Sequence, residues 1–271
     1  MCGRYALTAD RDALALEFEV DAVTDTQLPA RWNIAPTSDI YIVKTRPDGA
    51  QGVRELVVAR WGLVPSWAKD ETIGSRLANA RAETVADKPA FRRAFRERRC
   101  LVVCDGWYEW MPTSGAGARP RKQPYVMTVQ GRPHAAFAGL YEWWRPPGAD
   151  PEQPALLTAN LLTTDAVGAA AQVHDRMPVV LDQDLWAAWL DPAGAAAAPQ
   201  VLAHAIATLP EQPVVVRPIS PDVNSVRNEG AYLWQEFQLS NAPAGPGAAP
   251  AADGAADGAA SGAHDGQRPL F

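Results

Sequence analysis

Cys2 is the residue of this sequence with the most chemistry open to it. Methionine is normally trimmed when the second residue is small, so removal of Met1 would leave Cys2 with a free α-amine beside its thiol. Such a 1,2-aminothiol has an amine pKa of about 8 and a thiol pKa of about 8.5, so both nucleophilic forms exist near neutral pH. An aldehyde would form a Schiff base with the amine, and the thiol would then close a five-membered thiazolidine ring. Cys100 and Cys104 cannot do this, because their nitrogens are in amides. They stand four apart in an apolar run, on one side of a strand, where free cysteine serves as a small core residue. The sequence offers no partner pair of ligands, so neither a metal nor another cofactor is expected. By residue type alone, Cys2 reads either as this nucleophile or as an incidental N-terminal residue.

Other positions suit proton transfer or anion binding. Glu109 lies between Tyr108 and Trp110 in DGWYEW. A carboxylate among aromatics loses water, which raises its pKa toward that of a working acid or base; the alternative is an outward-facing strand residue. His174, in VHDRMP, can exchange protons near pH 7 or simply cap a turn. In LANARAET, Asn79 can hold a carbonyl or amine and Arg81 can fork onto a phosphate. Both also suit a surface loop. Trp61 and Trp67 bracket GLVPS and could stack on unpaired bases or fill the core. Arg92 to Arg99 (RRAFRERR) is the one dense basic segment, with a solvated helix face as its ordinary reading.

The elements that must position these residues are mixed in type. Residues 10–19 have helical spacing with Asp10 as N-cap. Helices are also expected at 89–98, 165–172, 184–190 and 200–209. Strands are expected at 38–44, 53–60, 101–104, 107–110, 125–129, 134–143, 155–164, 178–181 and 213–218. Turns are marked by Pro47-Asp48-Gly49 and Asp105-Gly106, and residues 112–120 read as a flexible connection. There is no regular βαβ alternation, so the expected class is α+β around a largely antiparallel sheet.

The chain has 271 residues, 47% of them hydrophobic, with ten Trp, which suffices for one substantial core. Three cysteines do not make a closed disulfide framework and fit a reducing cytoplasm. MCGRYALTAD lacks the pattern of a secretory signal, and no apolar run is long enough to span a membrane. The net charge of -6 argues against a general nucleic-acid coat protein, though not against a narrow groove lined by a few arginines. Beyond residue 240 the composition turns to Ala, Gly, Pro, Ser and Asp, which cannot bury enough apolar surface to order itself.

The blocks MCGRY, RWNIAPT, WGLVPSWAKD, NARAET, RRCLVVCDGWYEW, KQPY, AGLYEWW and VHDRMPVVL, in this order over residues 2–230, resemble the SOS-response-associated peptidase (SRAP) family, the abasic-site processing proteins. The resemblance implies a single SRAP domain over residues 2–238, with a β-barrel-like, largely antiparallel core and short helices; the tail over 239–271 lies outside the resemblance and is expected to be disordered from its composition. It implies a positively charged groove for single-stranded DNA with abasic sites, or for single-strand/duplex junctions. Cys2 then matches the crosslinking nucleophile, and Asn79, Glu109 and His174 match the other active-site positions. Arg4 and Arg81 match phosphate contacts, and Trp67 falls in a loop that approaches DNA. A monomer suffices for such a role. Two other classes remain open: an N-terminal-nucleophile cysteine amidohydrolase, and a non-catalytic single-stranded DNA adaptor. In the tail, QRPLF resembles the peptides by which bacterial proteins engage the replicative sliding clamp, with Gln267, Leu270 and Phe271 as its contacts.

Overall fold

The computed structural model describes residues 2–48, 52–113 and 122–238. In chain order the first elements are β1 (Tyr5–Leu7), α1 (Arg11–Glu17), β2 (Ala22–Val23), β3 (Arg31–Ile34), β4 (Asp39–Arg46), β5 (Val53–Trp61) and β6 (Asn79–Arg81). The middle holds α2 (Arg92–Glu97), β7 (Arg99–Cys104), β8 (Gly106–Pro112), β9 (Lys122–Val129), β10 (Ala135–Trp144) and β11 (Leu156–Asp165). β12 (Arg176–Pro178), α3 (Gln183–Leu190), α4 (Ala198–Thr208) and β13 (Val214–Pro218) follow. No helix among the described residues is long and apolar enough to cross a membrane.

The fold is α+β and mostly antiparallel. Strands β5, β4, β7, β10 and β11 run side by side, and β11 returns to pair with β5 in parallel, opposite Arg60 and Trp61. That last pairing closes a ring, which removes two exposed sheet edges. β7, RCLVVC, is buried at every residue, as expected of a strand covered on both faces. A second sheet, in the order β13-β9-β8-β1-β3, packs on the ring. Aromatic pairs join the two: Tyr5 of β1 lies 5.1 Å from Trp61 of β5, and Trp107 of β8 meets Phe137 of β10 edge-on at 5.5 Å.

Local chemistry explains the element ends. Asp10 caps α1 by accepting from the backbone of Asp12 and Ala13, the role its side chain suits. Asp105, at the β7–β8 turn, accepts from both the backbone and the hydroxyl of Thr8, which ties that turn to β1. Gly106 follows because a Cβ there would lie 2.6 Å from the Met127 carbonyl.

Two expected elements differ. Residues 165–172 do not form a helix; only Ala170–Gln172 makes a single 3-10 turn, because Gly168 takes a positive φ of 56°. The strand expected at 178–181 is shifted upstream to β12, and Val180 makes only an isolated bridge with Phe137. The turn residue Gly49, most of the 112–120 connection and the whole 239–271 tail lie outside the described residues.

Candidate active site

Four short pieces of chain converge around Cys2. The backbone leads from Cys2 into β1, which pairs with β8, and the Tyr108 N–H donates to the Arg4 carbonyl at 2.9 Å. That pairing carries Glu109 along β8. β6 pairs in parallel with β11 and brings Asn79 in; its amide donates to the Cys2 carbonyl at 2.8 Å. The turn before β12 supplies His174, whose Nε2 lies 3.9 Å from a Glu109 carboxylate oxygen. Residues 2, 79, 109 and 174 thus meet although 172 positions separate the first from the last.

In the chain with Met1 still attached, Cys2 is wholly buried. Burial raises its thiol pKa well above the ordinary value, and the nearby Glu109 carboxylate adds to this; the Arg4 backbone N–H, donated to the sulfur, opposes it. Glu109 is buried too, and desolvation pushes its carboxyl up to about 7. A group with that pKa is half protonated at neutral pH, so it can both give and take a proton. Burial lowers the pKa of His174, which leaves the imidazole neutral at pH 7. The Arg176 backbone N–H donates to His174 Nδ1 at 2.9 Å. Asp175 Oδ1 is 2.8 Å from the same nitrogen, a contact that would want a proton there. The Asp175 side chain is 86% exposed and competes with water, so the amide fixed by β12 decides the tautomer. The imidazole proton is therefore on Nε2, facing Glu109.

Glu109 and His174 open into a cleft of about 540 Å³ whose other walls are Arg4, Trp110, Lys122 and Asn224. Two of these, Arg4 and Lys122, are cations. Arg4 is only partly available. Its Nη1 donates to Asn33 Oδ1 at 2.7 Å and to the Val223 carbonyl at 3.0 Å, and its guanidinium lies 5.6 Å from the Trp110 ring centroid. Trp110 in turn donates to Asn224 Oδ1 at 2.6 Å.

Sequence reasoning named Cys2, Asn79, Glu109 and His174 as catalytic, and the structure brings these four together; of the expected DNA contacts Arg4, Arg81 and Trp67, it places Arg4 beside them. Arg81 and Trp67 are exposed and do not line the cleft. Trp67 rides on a loop entered through Gly62, whose φ of 126° and close contact with Gly74 admit no side chain; that loop is pinned where Trp144 donates to the Ala68 carbonyl. Trp61 is core, as are Cys100 and Cys104. The cleft residues Trp110, Lys122 and Asn224 were missed as site residues. Trp110 follows Glu109 on β8, and Lys122 lies farther along the same ladder opposite Pro112, where only the β8–β9 pairing brings it beside the site; Asn224 has no sequence signal. Of RRAFRERR, Arg99 is a buried structural residue and Arg98 pairs with Glu142 at 3.2 Å. Among the described residues, no group of three or more His, Cys, Asp or Glu is arranged to hold a metal.

The model of the family described as SOS response associated peptidase (SRAP) matches residues 1–226. The chain belongs to the SRAP family. Among its relatives is the abasic site processing protein YoaM of Bacillus subtilis, 34% identical over 234 residues, covering 86% of this chain and 97% of YoaM. YoqW of the same species, also named an abasic site processing protein, is 36% identical over 71% of this chain and 81% of its own length. The chicken abasic site processing protein HMCES is 29% identical over 84% of this chain and 76% of HMCES. Among solved structures, a Bacteroides thetaiotaomicron protein shares the fold with a TM-score of 0.68, covering 87% of this chain and all of that one at 23% identity. A phage-related protein from Bordetella bronchiseptica is 30% identical with a TM-score of 0.59, covering 82% and 95% of the two chains.

Proposed function

We propose that this protein binds single-stranded DNA, including single-strand/duplex junctions, and traps abasic sites covalently through Cys2 as a thiazolidine. The observation that carries the reading is the Asn79 amide on the Cys2 carbonyl at 2.8 Å, beside a Glu109 carboxyl raised to about 7 and a His174 turned toward it. The names of the relatives point to the same substrate.

The first step removes Met1: water hydrolyses the Met1–Cys2 amide, which frees the Cys2 amine. Glu109 is placed to take the proton of that water. The amine then adds to the C1′ aldehyde of a ring-opened abasic sugar. Protonated Glu109 gives its proton to the carbinolamine hydroxyl, water leaves, and an imine remains. His174 Nε2–H steadies the sugar oxygen released by ring opening. The imine is formed protonated: the Cys2 sulfur adds to its carbon, the electron pair of the C=N bond passes to the nitrogen, and the thiol proton passes to Glu109. One water is lost overall, and no oxidant is consumed. Run backwards through the same imine, the pathway returns the aldehyde or permits lyase cleavage. Arg4 and Arg81 supply phosphate contacts, Trp67 a stacking surface, and affinity falls as salt rises.

A labelled oligonucleotide with one abasic site tests this directly. Wild-type protein gives a heat-stable band; Cys2→Ala gives none and still binds the strand. A heat-stable band from Cys2→Ala refutes the assignment. Activity on small amides without DNA would favour the amidohydrolase reading, and binding without any adduct the adaptor reading. We also propose that Gln267, Leu270 and Phe271 engage the sliding clamp, with Leu and Phe filling an apolar pocket. A chain shortened to Gly266 is expected to lose clamp in a pull-down; equal recovery ends that proposal.

A further inference from the structure

Asn33 is wholly buried, and every hydrogen bond of its side chain reaches a distant part of the chain. It lies on β3, which pairs with β1 at the edge of the second sheet. Asn33 Oδ1 accepts from Arg4 Nη1 at 2.7 Å. Its Nδ2 donates to the carbonyls of Val223, Ser225 and Asn228 at 3.2, 2.8 and 3.1 Å. Arg4 Nη1 also donates to the Val223 carbonyl, at 3.0 Å, so Asn33, Arg4 and Val223 close a triangle. Residues 221–229 thereby become a strap, fastened again where Glu229 accepts from Arg31 at 2.6 Å and from the Trp32 backbone at 2.7 Å. The strap carries Asn224, which walls the cleft and accepts from Trp110. None of the steps above uses Asn33.

The consequence falls on Arg4. Both of its side-chain hydrogen bonds leave from Nη1 and are spent on the protein itself. Nη2 makes none among the described residues, and the side chain lines the cleft. A guanidinium is planar and rigid, so fixing Nη1 restricts where Nη2 can point. We propose that Asn33 is a positioning residue for DNA binding: it holds Arg4 so that Nη2 meets a backbone phosphate in the cleft, and it locks the strap that carries Asn224. Asparagine suits the place because one short amide both accepts from the arginine and donates to the carbonyls. Aspartate would only accept, and leucine would do neither. This inference rests on the proposed phosphate contact of Arg4.

The test uses the full chain with Asn33→Leu, Arg4→Ala and the double variant. Kd is read against salt for a single strand bearing a tetrahydrofuran abasic analogue, which has no aldehyde and so forms no adduct. Arg4→Ala is expected to weaken binding about 10-fold at low salt and to lower the slope of log K against log salt by about 1. Asn33→Leu changes no charge, yet it should lower the slope by nearly the same amount. The double variant should bind no more weakly than the weaker single, since both act through one contact. A merely structural asparagine would leave the slope at its wild-type value, and that result beside a lowered Arg4→Ala slope overturns the proposal alone. Effects of the two substitutions that multiply overturn it as well. An Arg4→Ala slope equal to wild type overturns the phosphate reading and the proposal with it. If Asn33→Leu does not fold, guanidinium NMR of the wild-type protein decides. Arg4, identified by its absence from the Arg4→Ala spectrum, should show separate Nη1 and Nη2 signals from hindered rotation; freely averaged signals overturn the proposal.

Discussion

Around Arg99, every nitrogen of a buried guanidinium donates to a backbone carbonyl: Nε to Trp189, Nη1 to Phe95 and Arg96, and Nη2 to Asp191. The Trp189 ring covers the guanidinium at 6.0 Å, and these bonds close the C-terminal ends of α2 and α3. Around Cys2 the polar atoms are treated differently. Asn79 Oδ1 and Arg4 Nε are buried with no hydrogen-bond partner among the described residues, and Glu109 is held far from its ordinary pKa by burial. Each unsatisfied buried atom costs about 1–3 kcal/mol. The first region is arranged for stability. The second carries an unrepaid cost at its buried polar groups, a property common at functional sites.

The contrast can be broken at either end. Glu109→Gln should give the largest effect on chemistry, lowering the adduct rate about 100- to 10,000-fold. It should also erase an inflection near pH 7 in the wild-type rate profile; an inflection that survives the substitution assigns it elsewhere. The same variant tests the stability cost. The folded protein keeps the Glu109 proton up to about pH 7, whereas the unfolded chain releases it near 4.5. The folded state therefore loses relative stability as pH rises through that window. Glu109→Gln should be more stable than wild type above pH 7 by up to about 3 kcal/mol and should gain nothing below pH 4.5. Chemical denaturation at pH 4 and pH 8 measures this, and a gain independent of pH contradicts it.

Next in size is Arg99→Met, which strands the carbonyls at two helix ends. It should cost about 3–5 kcal/mol. In protein that remains folded, adduct yield should be unchanged; a specific loss of adduct would erase the distinction between the regions. Asn79→Ala should slow the adduct about 10- to 100-fold while costing less than about 1 kcal/mol of stability, because one unpartnered atom leaves with the lost bond. A large Tm drop would make Asn79 structural. The smallest effect is expected for Arg81→Ala: a modest loss of DNA affinity and a decrease of about 1 in the slope of log K against log salt, with the saturated rate unchanged.

How much of this was legible in the sequence follows from how locally each piece is determined. α1 announced itself through Asp10, and the long apolar strands β4, β5, β7, β10 and β11 through composition alone. β1, β3 and β6 did not, because they are three or four residues long and exist only by pairing with distant strands. Residues 165–172 look helical by composition, yet Gly168 breaks the run. Glu109 was legible because aromatic neighbours foretell desolvation. The commitment of Arg4 to Asn33 and Val223 was not, since those partners lie 29 and 219 residues away. The same holds for the Arg176 fork on Glu83, 93 residues off. Residue types indicated the chemistry; long-range pairing decided which side chains were free to perform it.

The most direct test is the intact mass of the purified protein, recorded before and after incubation with a single-stranded oligonucleotide containing one abasic site. The account predicts a protein lacking Met1 and uncapped at Cys2, then a heat-stable species whose mass equals protein plus oligonucleotide less one water. A chain that keeps Met1, carries an acetyl group, or shows no mass gain with the abasic strand contradicts it.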